Sequence, residues 1–298
     1  MPDIQMRFHH DMLTLSSPLE STLIAQGFDL SFGVSLLSVL EPEAVSAALR
    51  LQVAAGAPCL VAPTAGVTRA RLAHQRAADR DINIAQAAKS LATAFTTQHV
   101  LAEIGATGLP IDPNSKSSLT ANRDEYLRAA RAIGDADIDA FFVNGLTGAA
   151  DARCALMGVR QAFATPLIAS VDVNEEGIAN DGTGLEDIVA VMADLEADVV
   201  GFCTSADSEG AARLAQRAAH VCDRPLLVQL NVQKQPSSTL PSHARGQLDI
   251  PYADPSSMVQ AADCLRAAGA QFIRAVGAAT PAYAGALAAA LAGTEPIR

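Results

Sequence analysis

The sequence predicts an α/β chain folded as a (β/α)8 barrel, in one domain over residues 1–298. Three observations lead there. Short apolar runs alternate strictly with Ala-, Leu- and Arg-containing helical stretches, and there are eight such runs. The length of 298 residues accommodates eight strand–helix units around a substantial buried core. The marks of the competing doubly wound sheet are missing, since no GxGxxG follows the first apolar run and no GxxxxGK[ST] occurs anywhere.

In chain order, the first two strands are predicted at 12–15 and 59–62. A helix at 42–55 lies between them. It opens on Glu41-Pro42-Glu43, with proline in the first turn, and stops at Ala55-Gly56-Ala57, where glycine permits a left-handed residue. Helices at 69–78 and 83–97 lead to a third strand at 100–104. A helix at 123–134, closed by Ile133-Gly134-Asp135, leads to a fourth at 140–143. The helix at 149–163 precedes a fifth strand at 167–171. Asn180-Asp181-Gly182-Thr183-Gly184 reads as a turn ending in an N-cap, with Thr183 before a helix at 185–196 and Glu186 three residues later. Strand six follows at 199–202, then a helix at 209–221 and strand seven at 226–230. The last unit is a helix at 256–268, from Asp254-Pro255-Ser256-Ser257 to Ala268-Gly269-Ala270, a strand at 272–276 and a closing helix at 282–292. The stretches 106–121 and 232–255 are predicted as long loops at the catalytic rim; no linker, repeat or low-complexity tract divides the chain.

Composition narrows the partners. Half of the residues are hydrophobic (50%) but only 4% are aromatic and none is Trp, so the core is built from Ala, Val, Leu and Ile. The net charge of −11 argues against nucleic acid and anionic membrane, both of which want a basic face. The start, Met1-Pro2-Asp3-Ile4-Gln5, has neither a basic n-region nor an apolar h-region, and no uninterrupted apolar stretch reaches the ~18 residues of a membrane span. A cytoplasmic protein acting on a small molecule is expected. The five cysteines are scattered, odd in number and never spaced CxxC, as suits free thiols in a reducing compartment.

In such a barrel the chemistry sits at the C-terminal strand ends. Those ends offer Ser16 and Ser17, Pro63 and Thr64, Glu103, Asn144, Ser170 and Asp172, then Cys203, Thr204, Ser205, Gln229, Asn231 and Arg274. A Schiff-base enzyme is excluded, because Lys89, Lys116 and Lys234 all fall outside the strands. Glu103 and Asp172 could form an acid/base pair, unless one of them pairs with Arg274. A metal is harder to hold: His9-His10 precede the first strand, His74 and His220 fall on helices, and His99 begins the third strand at the wrong end. Only Cys203 is placed for a thiolate site, which leaves an oxygen set of Glu103, Asp172, Asn144 and Asn231 as an alternative. Gly105-Ala106-Thr107-Gly108 is a phosphate loop by composition only. The final strand runs into Arg274-Ala275-Val276-Gly277-Ala278-Ala279-Thr280-Pro281, with no cysteine, histidine or carboxylate.

The order of segments resembles the homocysteine S-methyltransferase family, which includes betaine-dependent enzymes and the homocysteine half of cobalamin-dependent methionine synthase. The likeness runs through Leu40-Glu41-Pro42-Glu43-Ala44-Val45 to Ala55-Gly56-Ala57, then Ala102-Glu103-Ile104-Gly105-Ala106-Thr107-Gly108 and Pro166-Leu167-Ile168-Ala169-Ser170. It continues through Asp181-Gly182-Thr183 to Ala197-Asp198-Val199-Val200-Gly201-Phe202-Cys203, and ends with Gly269-Ala270-Gln271-Phe272-Ile273-Arg274 and Thr280-Pro281. The resemblance implies a barrel that transfers methyl groups to homocysteine, with zinc held by three thiolates. One thiolate belongs to a Gly-x-Asn-Cys step and two to a Gly-Gly-Cys-Cys step.

This chain departs from that pattern where the metal would sit. The first step reads Gly201-Phe202-Cys203-Thr204, which puts Cys203 at the asparagine and Thr204 at the cysteine; the second falls within 274–277, without a cysteine. The usual Asp-Gly after strand one is Ser16-Ser17, the glutamate after strand four is Asn144, and of the Pro-Asn-Ala-Gly-like step only Asn231 is kept. Zinc lowers a thiol's pKa so that it attacks as thiolate; without it only a few per cent of a thiol is ionised at neutral pH. The expectation is a methyltransferase with zinc-independent chemistry and no cofactor of its own. Cys203, Glu103 and Asp172 are its catalytic candidates, and Ser16, Ser17, Thr64, Asn144, Ser170, Thr204, Asn231 and Arg274 its substrate-binding candidates. A corrinoid would have to come with a partner protein, since no Asp-x-His-x-x-Gly motif occurs. The alternatives are a barrel kept as a binding or regulatory protein and a carboxylate enzyme using Glu103 and Asp172.

Overall fold

The computed structural model describes residues 3–233 and 251–297. Most of the predicted loop at 232–255 falls on 234–250, outside the described residues, and Lys234 and His243 lie there too.

Eight parallel strands form one sheet in the order β1-β8-β7-β6-β5-β4-β3-β2. They are β1 (Leu13–Thr14), β2 (Cys59–Ala62), β3 (His99–Gly105), β4 (Ala140–Leu146), β5 (Leu167–Asp172), β6 (Val199–Thr204), β7 (Leu226–Val232) and β8 (Ala270–Gly277). A parallel bridge between Leu15 and Cys59 joins the two ends of this order. It is extended by the Ser16 amide donating to the Cys59 carbonyl at 2.9 Å and by the Val61 amide donating to Ser16 Oγ at 2.9 Å. A side-chain oxygen therefore completes the seam of the predicted (β/α)8 barrel.

Outside the strands lie α1 (Glu20–Ala25), α2 (Gly33–Leu40), α3 (Pro42–Ala54), α4 (Arg69–His74), α5 (Asp81–Thr93), α6 (Lys116–Ile133), α7 (Ala149–Ala162), α8 (Leu185–Asp194), α9 (Ser208–Ala219), α10 (Ser257–Ala267) and α11 (Pro281–Leu291). The sequence reading missed α1 and α2. It also started α6 seven residues late: the predicted loop at 106–121 ends at Ser115, whose hydroxyl caps the helix by accepting from the Ser118 amide. The expected cap at Thr183 is not formed. Asp181 instead folds a local turn onto the Thr183 amide, and α8 starts after Gly184 without a side-chain cap. The three predicted glycine stops, Gly56, Gly134 and Gly269, do adopt positive φ.

Period-two alternation lays out the barrel interior in layers. Leu13, Leu15, Cys59, Val61, Leu101, Phe142, Ile168, Val199, Leu227 and Phe272 form one buried cluster in its lower half. The 3-10 turn Ile4–Arg7 closes the bottom, and Phe8 meets Phe272 edge-on with ring centroids 5.9 Å apart. His99 is buried at this end, with Nδ1 3.3 Å from Asp139, as far from the mouth as the sequence placed it. The next inward residue of each strand begins the site.

Candidate active site

Two residues beyond the apolar layer, the same inward faces carry Glu103, Asn144, Ser170, Gln229 and Arg274. Four of them close a hydrogen-bonded ring. Arg274 Nη2 donates to Glu103 Oε2 at 3.3 Å and its Nη1 to Gln229 Oε1 at 3.4 Å. Gln229 Nε2 donates to Asn144 Oδ1 at 2.7 Å, and Asn144 Nδ2 returns to Glu103 Oε1 at 2.6 Å. Ser170 Oγ accepts from the same Gln229 nitrogen at 2.7 Å. Arg274 is only 2% exposed; its Nε donates to the Ser16 carbonyl at 2.9 Å and its guanidinium lies 5.4 Å from the Phe142 ring centroid. Burying a guanidinium costs several kcal/mol unless it is paired and hydrogen-bonded, and here each of its three nitrogens has an acceptor, one of them a carboxylate.

The ring is the floor of a cavity of about 620 Å3 that opens at the barrel mouth. Asp172 and Cys203 face each other across β5 and β6 in the next layer, within hydrogen-bonding reach. Asn231 stands beside them and donates to Ser205 Oγ at 3.1 Å. Gly277, with φ at +69°, leaves it room: a Cβ there would fall 2.1 Å from Asn231 Oδ1. The walls around Asp172 desolvate it and raise its carboxyl above the ordinary range, helped by the Glu103 charge and opposed by the Cys203 thiol. Burial first, and then the Asp172 charge, push the Cys203 thiol far above the ordinary cysteine range, so it stays protonated at neutral pH.

Three expected substrate contacts face the other way. Ser16, Thr64 and Thr204 sit one residue off the inward parity and are buried outside this cavity, Thr204 lining an adjoining one with Asp172, Cys203 and Asn231. Ser16 serves the seam, Thr64 Oγ1 donates to the Glu103 carbonyl at 2.7 Å, and Thr204 Oγ1 lies 3.4 Å from the Asn174 carbonyl. Ser170 is inward but covered, beneath the floor. Glu103, expected as an acid or base, has both oxygens committed to Asn144 and Arg274. Cys203, Asp172, Glu103, Ser17, Asn144, Asn231 and Arg274 do line the cavity.

Sequence reasoning missed Glu20, at the start of α1, and Phe32, just before α2; both line the cavity. The Glu20 carboxyl is raised by desolvation, with Glu103 adding to the effect and a backbone hydrogen bond and Arg274 opposing it. Glu20 and Asp172 both keep surface open to the cavity, so it is the enclosing walls and not direct contact that desolvate them.

A search of the family models matches residues 13–291 to one described as homocysteine S-methyltransferase. The chain belongs to the homocysteine S-methyltransferase family. Among solved structures, it superposes on the metallated form of the homocysteine methyltransferase MmuM of Escherichia coli with a TM-score of 0.74 at 21% identity, covering 94% of this chain and 96% of that one. The oxidized form of the same enzyme gives 0.72 at 21% identity, and the apo form 0.69 at 19%, with the same coverage. Comparison with curated proteins found no match.

The zinc implied by the homocysteine S-methyltransferase family needs three or four N or S donors. Here the cavity offers one thiol, Cys203, held protonated by its surroundings, with the Asp172 carboxyl beside it, while Glu20 and His74 stand elsewhere on the wall and do not converge with them. Thr204 is turned away, Val276 and Gly277 carry no donor side chain, and the Arg274 guanidinium lies in the floor below. Among the described residues no three His, Cys, Asp or Glu side chains converge. This donor set does not fit zinc. The alternative oxygen set is not assembled either, because Asn144 Oδ1 is held by Gln229 and the Glu103 carboxylate by Asn144 and Arg274.

Proposed function

We propose that this family member is a methyltransferase that moves a methyl group onto a small acceptor at the barrel mouth without zinc-activated thiol chemistry. The supporting observation is a second cavity, of about 490 Å3, which adjoins the first and shares Asp172, Cys203 and Asn231 with it. Two ligands can therefore meet over one set of side chains, which is the geometry that group transfer requires. In this reading Asp172 is the general base, its carboxyl made a better proton acceptor by the desolvation that raises it. Cys203 and Asn231 orient the ligands at the shared wall, and the ring of Glu103, Asn144, Gln229 and Arg274 keeps the floor rigid. The donor is a second small molecule or a methyl group presented by a partner such as a corrinoid protein.

Transfer of an isotopically labelled methyl group is the test. Activity should fall by about 10²–10⁴-fold in Asp172→Asn and survive in Thr64→Ala, which lies outside the cavity. Ligand-induced thermal stabilisation with no transfer to any acceptor would leave a binding protein instead. Proton transfer between Glu103 and Asp172 lacks support, because Glu103 is held as the ionised partner of the buried Arg274.

A further inference from the structure

The cavity is acidic once its floor is set aside. Glu103 and Arg274 neutralise each other, whereas Glu20 and Asp172 have no cation paired to them among the described residues. Arg71 and His74 also line the cavity, on α4, but the charged neighbours that act on Glu20 are Glu103 and Arg274, and on Asp172, Glu103. Ser17 provides an independent sign of a ligand. It is 2% exposed, it lines the same cavity, and its Oγ has no hydrogen-bond partner among the described residues. A buried hydroxyl left unpaired costs about 1–3 kcal/mol, a debt that a polar ligand group would remove. Phe32, 48% exposed on the cavity wall, offers an aromatic face that suits a cation.

From these observations, and resting on the methyltransferase reading above, we propose that the methyl acceptor is an amine nitrogen and not a thiol. A thiol must ionise before it attacks, which would place a new anion beside Glu20 and Asp172. The site holds its own thiol, Cys203, protonated under the same pressure. An amine enters as an ammonium ion, attracted by Glu20 and hydrogen-bonded to Ser17 Oγ at the β1 side of the cavity, and crosses it to the Asp172 wall at β5. Its proton passes to Asp172, and its lone pair forms the new C–N bond to the methyl carbon of a methyl onium donor, a sulfonium or quaternary ammonium. The bond from that carbon to the donor's cationic atom breaks, its electron pair stays with the departing group, and that group leaves neutral. Positive charge moves from donor to product nitrogen, so the acidic cavity stabilises the reactants, the transition state and the product alike.

Calorimetric titration with matched probes tests this. Three series differ only in the terminal group: 2,4-diaminobutanoate, homocysteine and homoserine; benzylamine, benzyl mercaptan and benzyl alcohol; and butylamine, butanethiol and butanol. In at least one series the amine should bind at least ~10-fold tighter than its thiol and alcohol, about 1.4 kcal/mol. Glu20→Gln and Ser17→Ala should each shrink that preference without weakening the alcohol equally. Equal or tighter binding of the thiols, or no binding in any series, overturns the inference. Methyl transfer from labelled trimethylsulfonium ion separates the two claims. Transfer to a thiol but to no amine sinks the amine acceptor and leaves the methyltransferase standing. Amine-selective binding with no transfer sinks the methyltransferase reading, and the acceptor role with it, and leaves an amine-binding site.

Discussion

Arg274 carries a charge in the barrel interior and spends it on Glu103, with Gln229, the Ser16 carbonyl and the Phe142 ring completing its surroundings. Arg274→Met leaves Glu103 half-paired at the floor, and a loss of about 3–5 kcal/mol is expected in urea unfolding. Arg274→Lys should recover little of it, because an ammonium cannot reproduce the planar fork. Glu20 and Asp172 behave oppositely. Both carboxyls are raised in the folded chain, which therefore binds protons more tightly than the unfolded chain does. Their contribution to stability is full below the unfolded values, 4.5 and 3.8, and is lost as pH rises through the higher folded ones. Asp172→Asn should consequently raise the melting temperature at pH 7 and leave it nearly unchanged at pH 3, as measured by thermal melts across that range. The gain in stability should accompany the loss of activity, as at other sites built under strain. Asp172, Cys203, Asn231 and the floor residues were legible because they end apolar strands. Glu20 was not, because Pro18-Leu19-Glu20 carries no period and opens a helix of only six residues.

Among the elements, the seam between β1 and β2 is the place where the barrel is least bonded. β1 is two residues long, and one bridge plus the Ser16 hydroxyl connects it to β2, whereas β7 and β8 pair over seven positions. Ser16→Ala would leave the buried Val61 amide without its acceptor, and a cost of about 1–3 kcal/mol is expected. Hydrogen exchange should locate the damage, with the Val61 amide losing protection while the amides of β7 keep theirs. The strand periods were readable in outline, yet β4 to β7 each run one to three residues past the predicted ends. That extension puts Asn144, Asp172, Cys203 and Asn231 on rigid strands, where parity decides which side chain faces in. Counting by twos from the apolar layer would have set aside Ser16 and Thr64. The helix α2 was missed because Val34, Ser35, Leu36, Leu37 and Ser38 are all buried, so no polar face marks its period.

The whole molecule is acidic, with a net charge of −11 and a sequence pI near 4.9, and among the described residues no helix is long and apolar enough to cross a membrane. Solubility should pass through its minimum near pH 4.9, read from turbidity at fixed concentration. Zinc titrated into the chain should give no saturable rise in melting temperature beyond that of Cys203→Ala; a saturable rise confined to the wild type would mean that Cys203 anchors a metal after all. Family and architecture were legible across 13–291 because they rest on the order of many weak segments, while the chemistry rests on a few positions where this chain differs. One consequence concerns the life of the protein in a cell. A guanidinium is part of the chain, is always charged and has no redox chemistry. The polarity of this active-site floor is thus complete when folding ends, and neither a chelator nor an oxidant nor a shortage of trace elements can strip it away.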